Sequence, residues 1–192
     1  MSGFNVYLLA AGRGRRAGGP KAWLTHEGMP LLEKQVRFLL GRCAPARVAV
    51  TVQEEWLPRC RAELHAEVRW TAVDPDAQPL RSLQALLAAA PVTGWTFLYH
   101  VDMPVWDDRL FDQLQERVPE AEAAGAEAVV PVKDGRGGHP ILLSPDACGA
   151  LGALDPDNDR LDYWLRNRRV DRAAVPFAAI HENWNQGSVT PQ

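Results

Sequence analysis

Two groups of residues in this chain have types and spacing suited to chemistry. The first is the stretch Gly12-Arg13-Gly14-Arg15-Arg16-Ala17-Gly18-Gly19-Pro20-Lys21, which follows an apolar run ending at Ala11. Glycines let the backbone approach an anion closely and turn its N–H groups inward. Three arginines and a lysine add positive charge. Such a loop after a buried strand suits a polyphosphate, with a flexible basic surface loop as the bland alternative. The second is Asp102, placed directly after the apolar segment Phe97 to Val101. A strand-end carboxylate can supply oxygen to a hard cation such as Mg²⁺, or it can simply cap the turn before Pro104. Beside the basic loop, the metal role is the favoured one.

Two common phosphate motifs fail here. Gly12-x-Gly14-x-x-Ala17 fits the dinucleotide fingerprint, but that motif must open a helix, and Gly18-Gly19-Pro20 would break one. It also needs an acidic residue about 20 positions on. Strand two ends only near Gln53-Glu54. In the P-loop alternative, Pro20 stands where the lysine belongs. An NAD-dependent oxidoreductase is disfavoured on the same grounds.

The elements that must hold these residues alternate along the chain. Val6 to Ala11, Arg47 to Val52, Val68 to Val73, Trp95 to Val101, Ala128 to Val132 and Ile141 to Leu143 read as strands. A last strand is expected near Ala173 to Ile180. Helical spacing covers Leu31 to Leu40, Trp56 to Leu64, Leu80 to Ala90 (stopped by Pro91), Leu110 to Ala124 and Leu161 to Asn167. Alternation of this kind predicts an α/β fold with a mostly parallel sheet and helices on both faces. Ligands then bind outside the carboxyl ends of the strands.

Composition narrows the class. The chain has 192 residues and 46% apolar content, which suits one domain, 1–192, with a sizeable core. A net charge of −3 argues against nucleic acid or an anionic membrane as a whole-surface partner. No apolar run approaches the ~20 residues that span a bilayer. Met1 to Asn5 has neither a basic start nor a long apolar stretch. Cys43, Cys60 and Cys148 are widely separated without a CxxC, so neither a disulfide framework nor a cysteine zinc site is expected. A cytoplasmic location follows. The seven Trp are assigned to core or groove walls.

The string Leu9-Ala10-Ala11-Gly12-x-Gly14-x-Arg16-x-Gly18-x-Pro20-Lys21 closely resembles the LAAGxGxRxGxxK signature of MobA-like nucleotidyltransferases, with Ala17 where Met is common. Tyr99-His100-Val101-Asp102-Met103-Pro104 looks like the family's GDMP motif, with Val101 in place of Gly. Gly138-His139-Pro140-Ile141-Leu142 looks like the GHP segment of the molybdopterin cytidylyltransferase branch. Arg81-Ser82-Leu83 resembles the Ser-Leu beside the base. Glu182 to Gln186 falls where the family has its D-x-D-T or N-x-N-T segment. Only Arg160 clearly matches in the GDxGAR region.

The resemblance implies a three-layer α/β/α Rossmann-like fold. It also implies Mg²⁺-dependent transfer of a nucleoside monophosphate to a phosphorylated acceptor, with release of pyrophosphate. On that account the N–H groups of Gly12 to Gly18 cradle the β- and γ-phosphates, and Arg16 neutralises the leaving pyrophosphate. Lys21 stabilises charge at the α-phosphate. Leu9, Ala10 and Ala11 contact the base, and Ser82 lies beside base or ribose. Asp102 and a C-terminal residue, Asn185 in preference to Asn183, hold Mg²⁺. His139 points at the acceptor cleft or is merely packed. Arg160 holds an anionic acceptor or only pairs with Asp155, Asp157 and Asp159. Guanylyl-transferring relatives usually carry LAGG, so the Ala11 methyl points to CTP, and with Gly138-His139-Pro140 to a molybdopterin-like acceptor. Sugar- or polyol-phosphate transfer, and a non-catalytic nucleotide-binding domain, are the alternatives.

Overall fold

The computed structural model describes residues 3–15, 18–90 and 92–184. In chain order the elements begin with β1 (Asn5–Leu9), a 3-10 turn at Lys21–Trp23, a small hairpin of β2 (Thr25–His26) and β3 (Met29–Pro30), and α1 (Leu31–Arg42). Then come β4 (Val48–Val52), α2 (Leu57–Arg59), β5 (Arg69–Ala72), α3 (Pro79–Ala89) and β6 (Thr96–His100). They are followed by α4 (Asp108–Glu116), α5 (Val118–Ala123), β7 (Ala128–Lys133), β8 (Arg136–Gly137) and β9 (Ile141–Leu143). The chain then forms α6 (Pro145–Gly152), α7 (Leu161–Arg166), β10 (Val170–Ala174) and a 3-10 turn at Ala178–His181.

The main sheet runs β10-β7-β9-β6-β1-β4-β5, with β8 paired to β7. β1 is parallel to β4 and β6, β4 to β5, and β10 to β7. β9 alone in that row is antiparallel to both its neighbours. The carboxyl ends of the parallel strands therefore share one edge, and β9 enters from that edge.

Every residue of β1 is buried, because helices cover both faces. Val6 and Leu8 pack with Leu32 and Val36 of α1 and with Phe111 and Leu114 of α4. Tyr7 and Leu9 point the other way, towards Leu83 and Leu86 of α3, Leu151 of α6 and Trp164 of α7. Fully burying a side chain of this size stabilises by roughly 1.5–3 kcal/mol, so the two clusters hold the sheet between its helical layers.

Local chemistry sets the helix ends. Asp107 caps α4 by accepting from Arg109 N, and Ser144 caps α6 by accepting from Ala147 N at 3.1 Å. Pro79 opens α3 at a position where its missing N–H costs nothing. Ala90 is already extended, as a residue before proline prefers.

Four expectations change. The helix expected over Leu110 to Ala124 divides between α4 and α5, because Pro119 lacks the N–H that a continuous helix requires. Trp56 to Leu64 becomes a short α2 containing Pro58, followed by a π-turn at Cys60–Leu64. The last strand lies earlier, at Val170–Ala174, and Pro176 separates it from the 3-10 turn. The hairpin β2–β3 and helix α6 were not expected at all.

Candidate functional site

The loop after β1 does not open an α-helix; the first ordered turn the chain meets beyond the glycines is the 3-10 turn carrying Lys21. That agrees with the failure of the dinucleotide motif. Ala10 N donates to Thr51 O at 3.1 Å and to Thr51 Oγ1 at 3.2 Å, tying the loop to β4. Ala10 packs into the α1-side core, while Ala11 turns the other way. Gly14 has φ +61°, and a Cβ there would stand 1.9 Å from Gly19 O. Only glycine fits, and Gly19 N closes the turn onto Gly14 O at 3.3 Å. Arg16 and Ala17 lie outside the described residues.

Leu9, Ala11, Gly12, Lys21, Ser82 and Asp102 come together around a cavity of about 170 Å³ at the sheet's carboxyl edge. Gly14 and Gly18 do not line it. Two exposed arginines of the loop are held from across its mouth. Arg13 Nε lies 2.8 Å and Arg15 Nη2 2.9 Å from the two oxygens of Asp76. Asp76 belongs to the loop after β5, and its neighbour Ala77 lines the cavity.

Lys21 Nζ donates to Asp102 Oδ2 at 2.6 Å, with both side chains under one-fifth exposed. Asp102 sits in the turn after β6, where Val101 N donates to Leu9 O at 3.0 Å and Met103 N to His100 O at 3.1 Å. Its carboxylate does not cap α4; Asp107 does. Trp184 N donates to Asp102 O at 2.8 Å, which draws Glu182 to Trp184 alongside. Trp184 is in turn packed on His26, with ring centres 4.9 Å apart, and edge-on against Trp106 at 5.8 Å. Asn185 lies outside the described residues. Among the described residues, no three His, Cys, Asp or Glu side chains gather as a metal cluster.

A second cavity, of about 580 Å³, adjoins the first; His100 and Pro79 line both. His139 and Arg160 line this larger space with Leu80, Ile141 and Leu165. His139 reaches it because antiparallel β9 begins at the edge where β6 ends. Gly138 is obligatory there, since a Cβ would meet Ile180 O at 2.3 Å. His139 N then donates to Ile180 O at 2.9 Å. The His139 ring meets His100 edge-on at 5.0 Å, and its Nδ1 is buried without a hydrogen-bond partner. Burial, and then the neighbouring His100, hold the His139 imidazole neutral with its pKa lowered to about 3. Burial also lowers the pKa of His100.

Arg160 pairs with Asp162 at 3.0 Å, not with Asp155, Asp157 or Asp159. Asp157 is taken by Arg81 instead. The i+2 carboxylate is the nearer one once α7 begins at Leu161.

Sequence reasoning noted His100 only as a departure beside Asp102 that could mark a different acceptor, and it missed Asp76. His100 carried a signal, as a polar residue ending an apolar strand one position from the Asp102 turn. Asp76 carried none, because its partners are 63 and 61 residues away.

A glycine-rich loop, a lysine–aspartate pair and two joined cavities at the carboxyl edge of such a sheet are the layout of a nucleotidyltransferase. The chain belongs to the family of the MobA-like NTP transferase domain, whose model matches residues 6–173. It is 37% identical over 178 residues to a protein of Opitutus terrae named probable molybdenum cofactor guanylyltransferase, spanning 90% of this chain and 76% of that one. It is 34% identical over 158 residues to 2-C-methyl-D-erythritol 4-phosphate cytidylyltransferase of Nocardia farcinica, spanning 79% of this chain and 62% of the relative. In fold it is similar to Rv0371c of Mycobacterium tuberculosis H37Rv, solved as a manganese complex. The TM-score is 0.68 at 20% identity, with 91% of this chain and 89% of the other covered. No helix among the described residues is long and apolar enough to cross a membrane.

Proposed function

We propose that this protein transfers CMP from CTP to a phosphorylated acceptor of the molybdopterin type, with Mg²⁺, releasing pyrophosphate. One observation carries this reading. The Lys21–Asp102 pair lines a small cavity together with Ala11, and a larger cavity adjoins it. The small cavity suits a pyrimidine nucleotide and the larger one an acceptor. Lys21 leaves Asp102 for the α-phosphate as charge grows there, and Arg16 balances the leaving pyrophosphate. Gly12 presents its backbone, Ser82 borders the sugar, and Arg160 receives the acceptor's phosphate. His139, held neutral, donates or accepts one hydrogen bond without adding charge.

The donors fit a hard cation. Asp102 Oδ1 accepts no hydrogen bond from the described residues, and the Trp184 N–H on Asp102 O brings the segment that carries Asn183 alongside, while Asn185, the second ligand expected from sequence, lies outside the described residues. An all-oxygen set suits Mg²⁺ or Mn²⁺. When bound, the ion would neutralise charge on the triphosphate.

The Opitutus relative's name favours GTP instead, and the Nocardia relative's name favours CTP with a polyol phosphate. Calorimetric titration with CTP, GTP, UTP, ATP and NAD, with and without Mg²⁺, tests the reading. Tightest Mg²⁺-dependent binding of CTP is expected. A preference for GTP replaces cytidylyl by guanylyl transfer, and binding of NAD alone overturns nucleotidyl transfer.

A further inference from the structure

A third cavity, of about 210 Å³, lies at the opposite edge of the sheet, where the parallel strands begin. Asn5 opens β1, Arg69 opens β5, Arg47 precedes β4 and Thr93 precedes β6; all four line it. From Asn5 to Leu9 the strand rises roughly 13 Å, so this space is separate from the cleft that holds Asp102.

Its hydrogen-bonding groups are unbalanced. Arg47 uses Nη1 alone, towards Gly3 O at 2.8 Å, Thr93 Oγ1 at 3.2 Å and Asn5 Oδ1 at 3.4 Å. Arg69 donates to Ala46 O and Ala89 O, both at a long 3.4 Å. Each acceptor is neutral. No carboxylate among the described residues pairs with either guanidinium, although this acidic chain pairs most of its other arginines. Among the described residues, Nε and Nη2 of Arg47 and Nη2 of Arg69 find no acceptor. Asn5 is 4% exposed; its Oδ1 already accepts from Arg47 and from Thr93 Oγ1 at 3.2 Å, while its Nδ2 finds no acceptor. A buried donor left unmatched is costly, and an acceptor in the cavity would recover that cost. Tyr7 does not supply one: its hydroxyl donates to Ala90 O at 2.7 Å.

We propose that this cavity is a binding site for a small multiply charged oxyanion of the phosphate class, held by Arg47, Arg69 and Asn5 and distinct from the nucleotide cleft. Two planar guanidiniums and an amide converging on one space match several oxygens of one anion, and charge-assisted bonds of this kind are about twice as strong as neutral ones. The walls are the starts of three parallel strands, so occupancy would clamp β1, β4 and β5 together at their amino ends.

The test is titration of isotopically labelled full-length protein with inorganic phosphate, followed by amide NMR, against sodium acetate and sodium chloride at matched ionic strength. Saturable shifts are expected at Asn5, Arg47, Arg69 and Thr93 with phosphate only. Arg69→Gln should weaken that site by at least about tenfold while leaving any phosphate-dependent shifts of Gly12 and Gly14 unchanged. No saturable shift in the wild-type protein, or equal shifts with acetate or chloride, overturns the proposal without recourse to a variant. Shifts at the cleft alone do the same. Loss of nucleotide transfer would leave this site standing, since its readout involves neither nucleotide nor turnover.

Discussion

Lys21 Nζ and Asp102 Oδ2 lie 2.6 Å apart although 81 positions separate them in the chain. The ammonium stands beside the very carboxylate that is proposed to hold a cation, and so serves as its internal counter-charge in the free protein. On the proposed reading, phosphate oxygens would compete for the ammonium and a divalent cation for the carboxylate, so filling the cleft would exchange one ion pair for two new ones.

Lys21→Ala is expected to lower kcat more than nucleotide affinity, because the charge it opposes grows mainly in the transition state. Asp102→Asn keeps the shape and removes the charge. It should abolish turnover and most of the mutual tightening between Mg²⁺ and nucleotide, which by linkage is one shared factor. Calorimetry of both variants checks this. Retained Mg²⁺-dependent nucleotide binding in Asp102→Asn would falsify the metal assignment.

Ala11→Gly removes a buried methyl from the wall of the smaller cavity. Nucleotide preference should move from CTP towards GTP, by about 10–200-fold if the one carbon behaves as pocket methylenes usually do. Competition binding with the two nucleotides measures the ratio; an unchanged ratio would release Ala11 from any part in base choice.

Glycines 12 and 14 should separate folding from binding. A Cβ at Gly12 meets nothing within 4 Å, whereas one at Gly14 meets the Gly19 backbone at 1.9 Å. Gly12→Ala should leave thermal stability nearly unchanged yet weaken nucleotide. Gly14→Ala should lose nucleotide binding because the loop must rearrange, with the strain of a positive φ costing of order 1–3 kcal/mol besides. Melting curves and nucleotide titrations of the two variants give the comparison.

Asp76→Asn releases Arg13 and Arg15 from their shared carboxylate. Both pairs are exposed, so the stability change should stay within about 1 kcal/mol. The freed arginines should tighten nucleotide a few-fold at low ionic strength, and the gain should fade at high salt, where exposed charges are screened. A gain that persists in high salt would place the arginines' effect elsewhere.

His139 is expected to make stability acid-sensitive. Its folded pKa, about 3, lies below the ordinary histidine value of 6.5. The unfolded chain therefore binds the extra proton first as pH falls. Stability is complete above about pH 6.5 and declines towards pH 3, at no more than about 1.4 kcal/mol per pH unit for one such group. His139→Asn should flatten that decline in denaturant melts between pH 7 and pH 5. An equally steep decline in the variant would assign the effect to other groups.

The sequence by itself determined the covered sheet and singled out the glycine-rich loop, Lys21 and Asp102, which the structure gathers at one cavity. Those depend on local properties. A continuous apolar run such as Val6 to Leu9 has to be buried on both faces, and a glycine such as Gly14 is needed where the backbone turns through positive φ and leaves no room for a Cβ. Boundaries were legible where a local stop existed, as at Ala90 before Pro91, and misread where several weak signals overlapped, as from Ala173 to Ile180. Only the tertiary structure decided what those residues meet. Antiparallel β9 brings His139 against His100, the loop after β5 sets Asp76 on Arg13 and Arg15, and α7 turns Arg160 towards Asp162. Asn5 and Arg69 stand at the starts of strands that sequence reading had no reason to pair around a cavity. Such contacts depend on strand order and register, which arise from how the whole sheet packs rather than from any short stretch of chain.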